Sequence, residues 1–178
     1  MMKKVSSLAL LFSSLLTTHS AMAVSNNTIS FQGEVTDETC SVVINGNNAT
    51  PVILLPTVSK STLAASGDTA GQVTFDIGLT GCTGGATETT MSTVFVGNQV
   101  TSNGNLGNTG TAKNVEVQIL DTAGTVINLT NGYTGSGDLK LAAAANSTSA
   151  TYTAQYYATA AATAGTVNAT LQYAVSYQ

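Results

Sequence analysis

The chain has 178 residues, and only 8% of them are charged, with five basic against nine acidic residues and a net charge of −4. It contains no Arg and no Trp, so nucleic-acid binding through a basic patch and attachment to an anionic membrane through a polybasic cluster are both excluded. Its single histidine is His19, and its two cysteines are Cys40 and Cys82.

The chain opens Met1-Met2-Lys3-Lys4, continues with an apolar run from Val5 to Leu16, and reaches Ala21-Met22-Ala23. A positive start, a short apolar core and an Ala-x-Ala site are the parts of a secretory signal peptide. The apolar run is too short to span a bilayer. Cleavage after Ala23 is expected to leave 178 − 23 = 155 residues, one domain with a real core. Lys3, Lys4 and His19 leave with the signal, so the mature chain keeps Lys60, Lys113 and Lys140 against nine acids, a formal charge of 3 − 9 = −6. In an exported protein the two cysteines are expected to pair, enclosing a loop of about 43 residues and contributing roughly 4 kcal/mol; two buried free thiols are the alternative.

Residues 25–28 are polar, and Ile29, Phe31, Gly33 and Val35 then share one strand face. At Cys40, Val42 and Ile44 the apolar parity is even, so a bulge, bend or crossing is expected between Thr36 and Thr39. Asn45-Gly46-Asn47-Asn48 reads as a turn. Pro51 to Pro56 reads as an edge or connecting segment and Ser59 to Gly71 as a loop. Val73, Phe75, Ile77 and Leu79 alternate with polar or small residues, and Cys82 lies just beyond that strand. Another strand is expected at Met91 to Val96, followed by a Gly/Asn-rich loop from Gly97 to Gly110.

Val115, Val117 and Ile119 share a face, and Thr125 to Leu129 reads as the hairpin partner of that strand across an Asp121-to-Gly124 turn. Asn131 to Asp138 is turn-like, and Leu139 to Ala145 is strand or loop. Tyr152, Ala154, Tyr156 and Ala158 alternate, and Ala160 to Gly165 is a small-residue turn. From Gly165 the apolar residues Val167, Ala169, Leu171, Tyr173, Val175 and Tyr177 recur with period two, a half-buried strand. A partner of this strand must come from earlier in the chain or from another molecule. About eight short strands, turn signals throughout and no convincing helix predict an all-β sandwich.

Chemistry is sparsely provided for. Without a histidine beyond His19, a His-dependent triad and a His-containing zinc site are impossible in the mature chain. Asp37 and Glu38 are adjacent, so on a strand they point to opposite faces, and Asp76 faces away from the Val73/Phe75/Ile77 side; solvated carboxylates are the simplest reading. No EF-hand spacing is present. The Asn-x-Ser/Thr triplets at Asn48, Asn128, Asn146 and Asn168 are the expected product of an Asn- and Thr-rich composition. Tyr152, Tyr156, Tyr173 and Tyr177 fall at inward positions, whereas Tyr157 has the opposite parity.

Together these pieces resemble a chaperone–usher fimbrial subunit of the type 1 major pilin family. The resemblance rests on the leader, Phe31-Gln-Gly-Glu-Val35 with Cys40 shortly after, Gly81-Cys82 closing an alternating strand, Asn114-Val-Glu-Val-Gln-Ile-Leu-Asp121, and Tyr156 to Gly165 leading into the last strand. Most specific is the end, with Gly165, the apolar series Val167 to Val175, and the penultimate Tyr177.

The resemblance implies an incomplete immunoglobulin-like sandwich that lacks its last strand and is completed by donor-strand exchange. It divides the chain into a signal peptide (1–23), an amino-terminal donor-strand extension (24–31) and a pilin domain (32–178). Gly165, Val167, Ala169, Leu171, Tyr173, Val175 and Tyr177 would line the groove, and Ile29 and Phe31 would be the donor residues that fill it. Asn27 stands where relatives often carry glycine, and the extension is short, so the donor register stays open. The implied partners are neighbouring subunits in a homopolymer or mixed fibre, a periplasmic chaperone and an outer-membrane usher. The implied function is a non-enzymatic, cofactor-free structural subunit of an adhesive surface fimbrium. A minor adaptor pilin or a receptor-binding adhesin subunit is the alternative, and a secreted hydrolase has no catalytic constellation to support it.

Overall fold

The computed structural model describes residues 40–48 and 51–177. Nine strands are present among them: β1 (Ser41–Ile44), β2 (Thr69–Thr80), β3 (Thr89–Gly97), β4 (Leu106–Gly107), β5 (Val115–Leu120), β6 (Tyr133–Thr134), β7 (Leu139–Leu141), β8 (Ser147–Ala158) and β9 (Leu171–Tyr177). The one helical element among the described residues is a 3-10 turn at Lys60–Leu63, capped by the Ser59 side chain, whose oxygen accepts from the Ser61 N–H. The expected donor-strand residues Ile29 and Phe31, the expected signal peptide and the expected bulge or crossing between Thr36 and Thr39 lie outside the described residues.

One sheet has the order β1-β2-β8-β5-β4. In the second, β3 is central, with β6 and β7 along one side and β9 along the other. Every strand pair is antiparallel. The inward residues of both sheets build one core, in which Ile77, Leu79, Met91, Phe95, Leu139 and Tyr152 are almost wholly excluded from solvent. The Phe95 ring meets Tyr152 edge-on with centroids 4.9 Å apart, joining the two sheets at the centre. This is an all-β, immunoglobulin-like sandwich.

Several sequence-based boundaries shift. β2 begins at Thr69, inside the stretch read as a loop, because Thr69 and Ala70 pair with Tyr157 and Tyr156 before a register break ahead of Val73. β8 likewise begins at Ser147, ahead of the alternation that runs from Tyr152 to Ala158, continuing along the full length of β2. The expected strand at Thr125 to Leu129 does not form: the pairing stops at a single bridge between Leu120 and Val126, made by bonds from the Asp121 N–H to the Thr125 carbonyl (2.8 Å) and from the Ile127 N–H to the Ile119 carbonyl (2.9 Å). Ile127 and Leu129 then dive into the core, and the Leu129 N–H turns to Gly104 instead. Core burial has pulled the segment off the ladder that its alternation favoured.

β5 departs from simple alternation as well. Glu116 and Gln118 are buried together with Val115, Val117 and Ile119, because the loop before β4 folds over the outer face of the sheet. Glu116 accepts from the side-chain amides of Asn103 and Asn105. From there amide bonds run through Asn105, Gln118, Gln155 and Gln72. A carboxylate with three amide contacts can stay buried without a cationic partner.

Cys40 and Cys82 are joined in a disulfide with their Cα atoms 4.3 Å apart. Ser41 pairs with Thr80, so the bond locks the β1–β2 ladder at its open end.

Candidate functional site: the open edge of the terminal strand

β9 pairs with β3 from Leu171 opposite Gly97 to Tyr177 opposite Met91. The regular strand is shorter than the sequence pattern, which starts at Val167. Ahead of it, Thr166 and Asn168 are held by the loop at 108–112 rather than by a ladder. The Ala112 N–H donates to the Thr166 carbonyl (3.0 Å) and the Thr109 N–H to the Asn168 carbonyl (2.8 Å). The Asn168 N–H donates to Asn108 Oδ1 (2.9 Å), and Thr111 and Thr166 exchange bonds between backbone N–H groups and hydroxyls. Close approach is possible because Gly110 and Gly165 lack side chains: a Cβ on Gly165 would lie 2.3 Å from the Ala112 nitrogen, and one on Gly110 2.1 Å from the Thr166 oxygen.

The hydrogen-bond parity of this strand decides what it exposes. Thr166, Asn168 and Thr170 bond towards 108–112 and Asn98, and Asn98–Thr170 continues the β3–β9 register. In an antiparallel ladder, alternate residues bond to the same neighbour. The even-numbered residues therefore face β3, and Val167, Ala169, Leu171, Tyr173 and Val175 turn their backbone N–H and C=O groups to the other edge. That edge has no strand partner among the described residues. The same residues point their side chains onto the main core, where all are only partly buried. Tyr177 packs there too. Sidedness is thus compound: Val167, Ala169, Leu171, Tyr173 and Val175 each offer apolar surface inward and, sideways, backbone groups with no strand partner among the described residues.

A second wall comes from residues 51–58. Ile53 and Leu55 pack on the core cluster, while the intervening Val52 and Leu54 are 75% and 80% exposed. This segment alternates like a strand but belongs to no sheet among the described residues. It meets the start of the terminal strand at a cavity of about 540 Å³ lined by Val58, Leu63, Val115, Tyr156, Gly165 and Val167, with Lys60 also contributing. Burial raises the pKa of the Tyr156 phenol, so that ring stays neutral in the cavity wall.

Sequence reasoning brought Gly165 to Tyr177 together as one face, and the structure places them along one edge. It passed over Asp138, read only as the end of a turn. Asp138 Oδ1 accepts from the Thr93 N–H (2.9 Å), and Oδ2 accepts from the Tyr152 hydroxyl. It fills the gap that β6 and β7 leave in the ladder on β3, directly behind the Thr93–Val175 pair of the terminal strand. No apolar periodicity marks such a residue. Tyr157, of opposite parity, is partly exposed on the outer face beside Glu116. Among the described residues no group of three or more His, Cys, Asp or Glu side chains is placed to hold a metal ion.

Among the described residues, the last strand of this sandwich keeps an apolar edge with no strand partner, and an edge of that kind can pair with a further strand. The fimbrial protein family is matched over residues 29–178, and the chain belongs to that family. It is 38% identical to the F17 fimbrial protein of Escherichia coli, with 89% of this chain and 91% of the relative covered. It is 36% identical to the major fimbrial subunit SMF-1 of Stenotrophomonas maltophilia, covering 88% and 95%. The solved P pilus rod subunit PapA shares the fold, with a TM-score of 0.59 at 24% identity over 78% of this chain and 99% of that one.

Proposed function

We propose that this chain is a structural subunit that polymerises into a surface fimbrium through the open edge of its terminal strand, and that the fibre supports cell adhesion. The observation that carries the reading is the coincidence, at Val167, Ala169, Leu171, Tyr173 and Val175, of a core-facing side chain with an unpaired backbone. Left open, such an edge aggregates. A donated strand satisfies the backbone and covers the core in one step.

The donor is residues 24–31 of a neighbouring copy, with Ile29 and Phe31 as the inserted side chains. Burying each contributes roughly 1.5–3 kcal/mol. The cavity beside Gly165 is roomy enough for an aromatic ring, and Phe31 is its natural occupant. Donor and acceptor are different surfaces of one molecule, so assembly is heterologous and open-ended. Residues 1–23 direct export. A periplasmic chaperone occupies the groove first, and an outer-membrane usher exchanges it for the next subunit.

Deletion of residues 24–31 tests this reading. The deletion variant is expected to be exported yet absent from fibres. Its normal incorporation would overturn the donor assignment.

A further inference from the structure

Two of the three lysines beyond residue 23 belong to segments that border the cavity where the terminal strand begins. Lys60 lines that cavity. Lys113 follows Ala112, another lining residue, and is tied to the opposite rim: its N–H donates to Thr163 Oγ1 (2.8 Å), and its carbonyl accepts from the Thr163 N–H (3.2 Å). Both lysines are exposed, and neither pairs with a carboxylate among the described residues. Asp68, the acid nearest in sequence to Lys60, holds the Ala65 N–H with one oxygen (2.8 Å). The opposite charge is concentrated elsewhere: residues 32–39 contain Glu34, Asp37 and Glu38 and no basic residue.

Strand direction connects the two. All strand pairs in the sandwich are antiparallel. A donor that continues this pattern beside β9 runs opposite to it, so its carboxyl-terminal end lies at Gly165 to Val167. The residues after Phe31 therefore leave the groove past the cavity mouth. At about 3.3 Å per extended residue, three residues span roughly 10 Å, so a donor that stays extended past Phe31 would bring Glu34 within reach of a lysine there.

We propose that Lys60 and Lys113 of one copy clamp the acidic stretch Glu34, Asp37 and Glu38 of the copy whose donor segment fills the groove. The clamp rests on the strand-donation reading given above and adds to it a register device. Apolar side chains two residues apart fit an alternating groove in more than one register. An acidic tract that meets a lysine at the Gly165 end of the groove favours one of them. Exposed charge pairs contribute little to affinity but accelerate encounter and set orientation. The effect therefore falls on the rate of fibre growth.

The experiment follows surface fibre accumulation after induction in cells producing the full chain with its assembly machinery, at low and high salt. A K60E/K113E variant is expected to accumulate fibres several-fold more slowly than the wild type. Combining it with E34K/D37K/E38K is expected to restore most of the rate. The milder K60Q/K113Q variant guards against misfolding and is expected to lose the wild type's slowing at high salt. Wild-type rates and salt response in both lysine variants would overturn the clamp, as would failure of the reciprocal reversal to rescue subunits that are exported with their disulfide formed. The 24–31 deletion separates the two levels. If it abolishes fibres while the lysine variants grow normally, the clamp alone falls; if it leaves fibres intact, strand donation falls and the clamp with it.

Discussion

The hydroxyl of Tyr152, a side chain wholly enclosed between the sheets, donates its proton to the carboxylate of Asp138 at the end of the β6–β7 turn. The other oxygen of that carboxylate accepts from the Thr93 N–H on β3, and the Gly135 N–H closes on the Thr93 carbonyl (2.8 Å). One acidic side chain thus replaces a missing rung of the ladder and ties the second sheet to the centre of the first. Asp138→Ala leaves both a buried hydroxyl and a backbone N–H unpaired, and is expected to cost about 2–4 kcal/mol. Thermal unfolding of the purified subunit in complex with a donor-strand peptide checks it, with Asp138→Asn expected to lose less.

Alkaline pH should weaken the fold. The phenol of Tyr152 is held far above its ordinary value of 10.0 by burial and by the Asp138 bond, and that of Tyr133 is raised by burial and by Asp121 and Asp138. Below the ordinary value, folded and unfolded chains are equally protonated and stability is at its full level. Above it the unfolded chain ionises first, so stability falls as pH rises. Denaturant titrations at pH about 8 and about 11 are expected to show this loss, and Tyr152→Phe is expected to reduce it.

Gly165 is expected to tolerate no side chain. A Cβ there would collide with backbone atoms of Thr111 and Ala112 rather than with a movable side chain. Gly165→Ala should cost about 1–3 kcal/mol by forcing the start of the terminal strand off the 108–112 loop. Hydrogen exchange of the Ala112 amide, which is bonded to Thr166, reads this directly: faster exchange is expected in the variant.

Removing the Cys40–Cys82 bond, which spans a sequence separation of 42, is expected to cost roughly 4 kcal/mol in the chain-entropy model. The paired Cys40→Ser/Cys82→Ser variant should show a lower unfolding midpoint in denaturant and a lower yield of exported subunit. An unchanged midpoint would mean that the β1–β2 ladder holds without it.

Much of the fold was legible because strand alternation is a local signal. Val73 to Leu79, Met91 to Val96, Val115 to Ile119 and Tyr152 to Ala158 each declare a face through neighbours two residues away, and the structure builds strands on all four. The same local signal misled at Thr125 to Leu129, where Ile127 and Leu129 left the ladder for the core. It also gave no hint that Glu116 and Gln118 would be buried, since their cover comes from the distant loop carrying Asn103 and Asn105. Asp138 was invisible for the same reason: its partners, Thr93 and Tyr152, lie 45 and 14 residues away.

The alternation from Val167 to Tyr177 belongs to the sequence alone, because a residue's face on a strand depends only on its parity. Family membership and the absence of histidine-based chemistry after His19 are likewise properties of residue identity and order. Which edge of the terminal strand lacks a strand partner among the described residues was decided only by tertiary structure. It depends on β3 taking the even-numbered backbone groups, on β6 and β7 occupying the far side of β3, and on the 108–112 loop gripping Thr166 and Asn168. Those are contacts between residues tens of positions apart, and no local period encodes them. The same packing brings the segments that carry Lys60 and Lys113 to the border of one cavity, although 53 residues of sequence separate them (113 − 60).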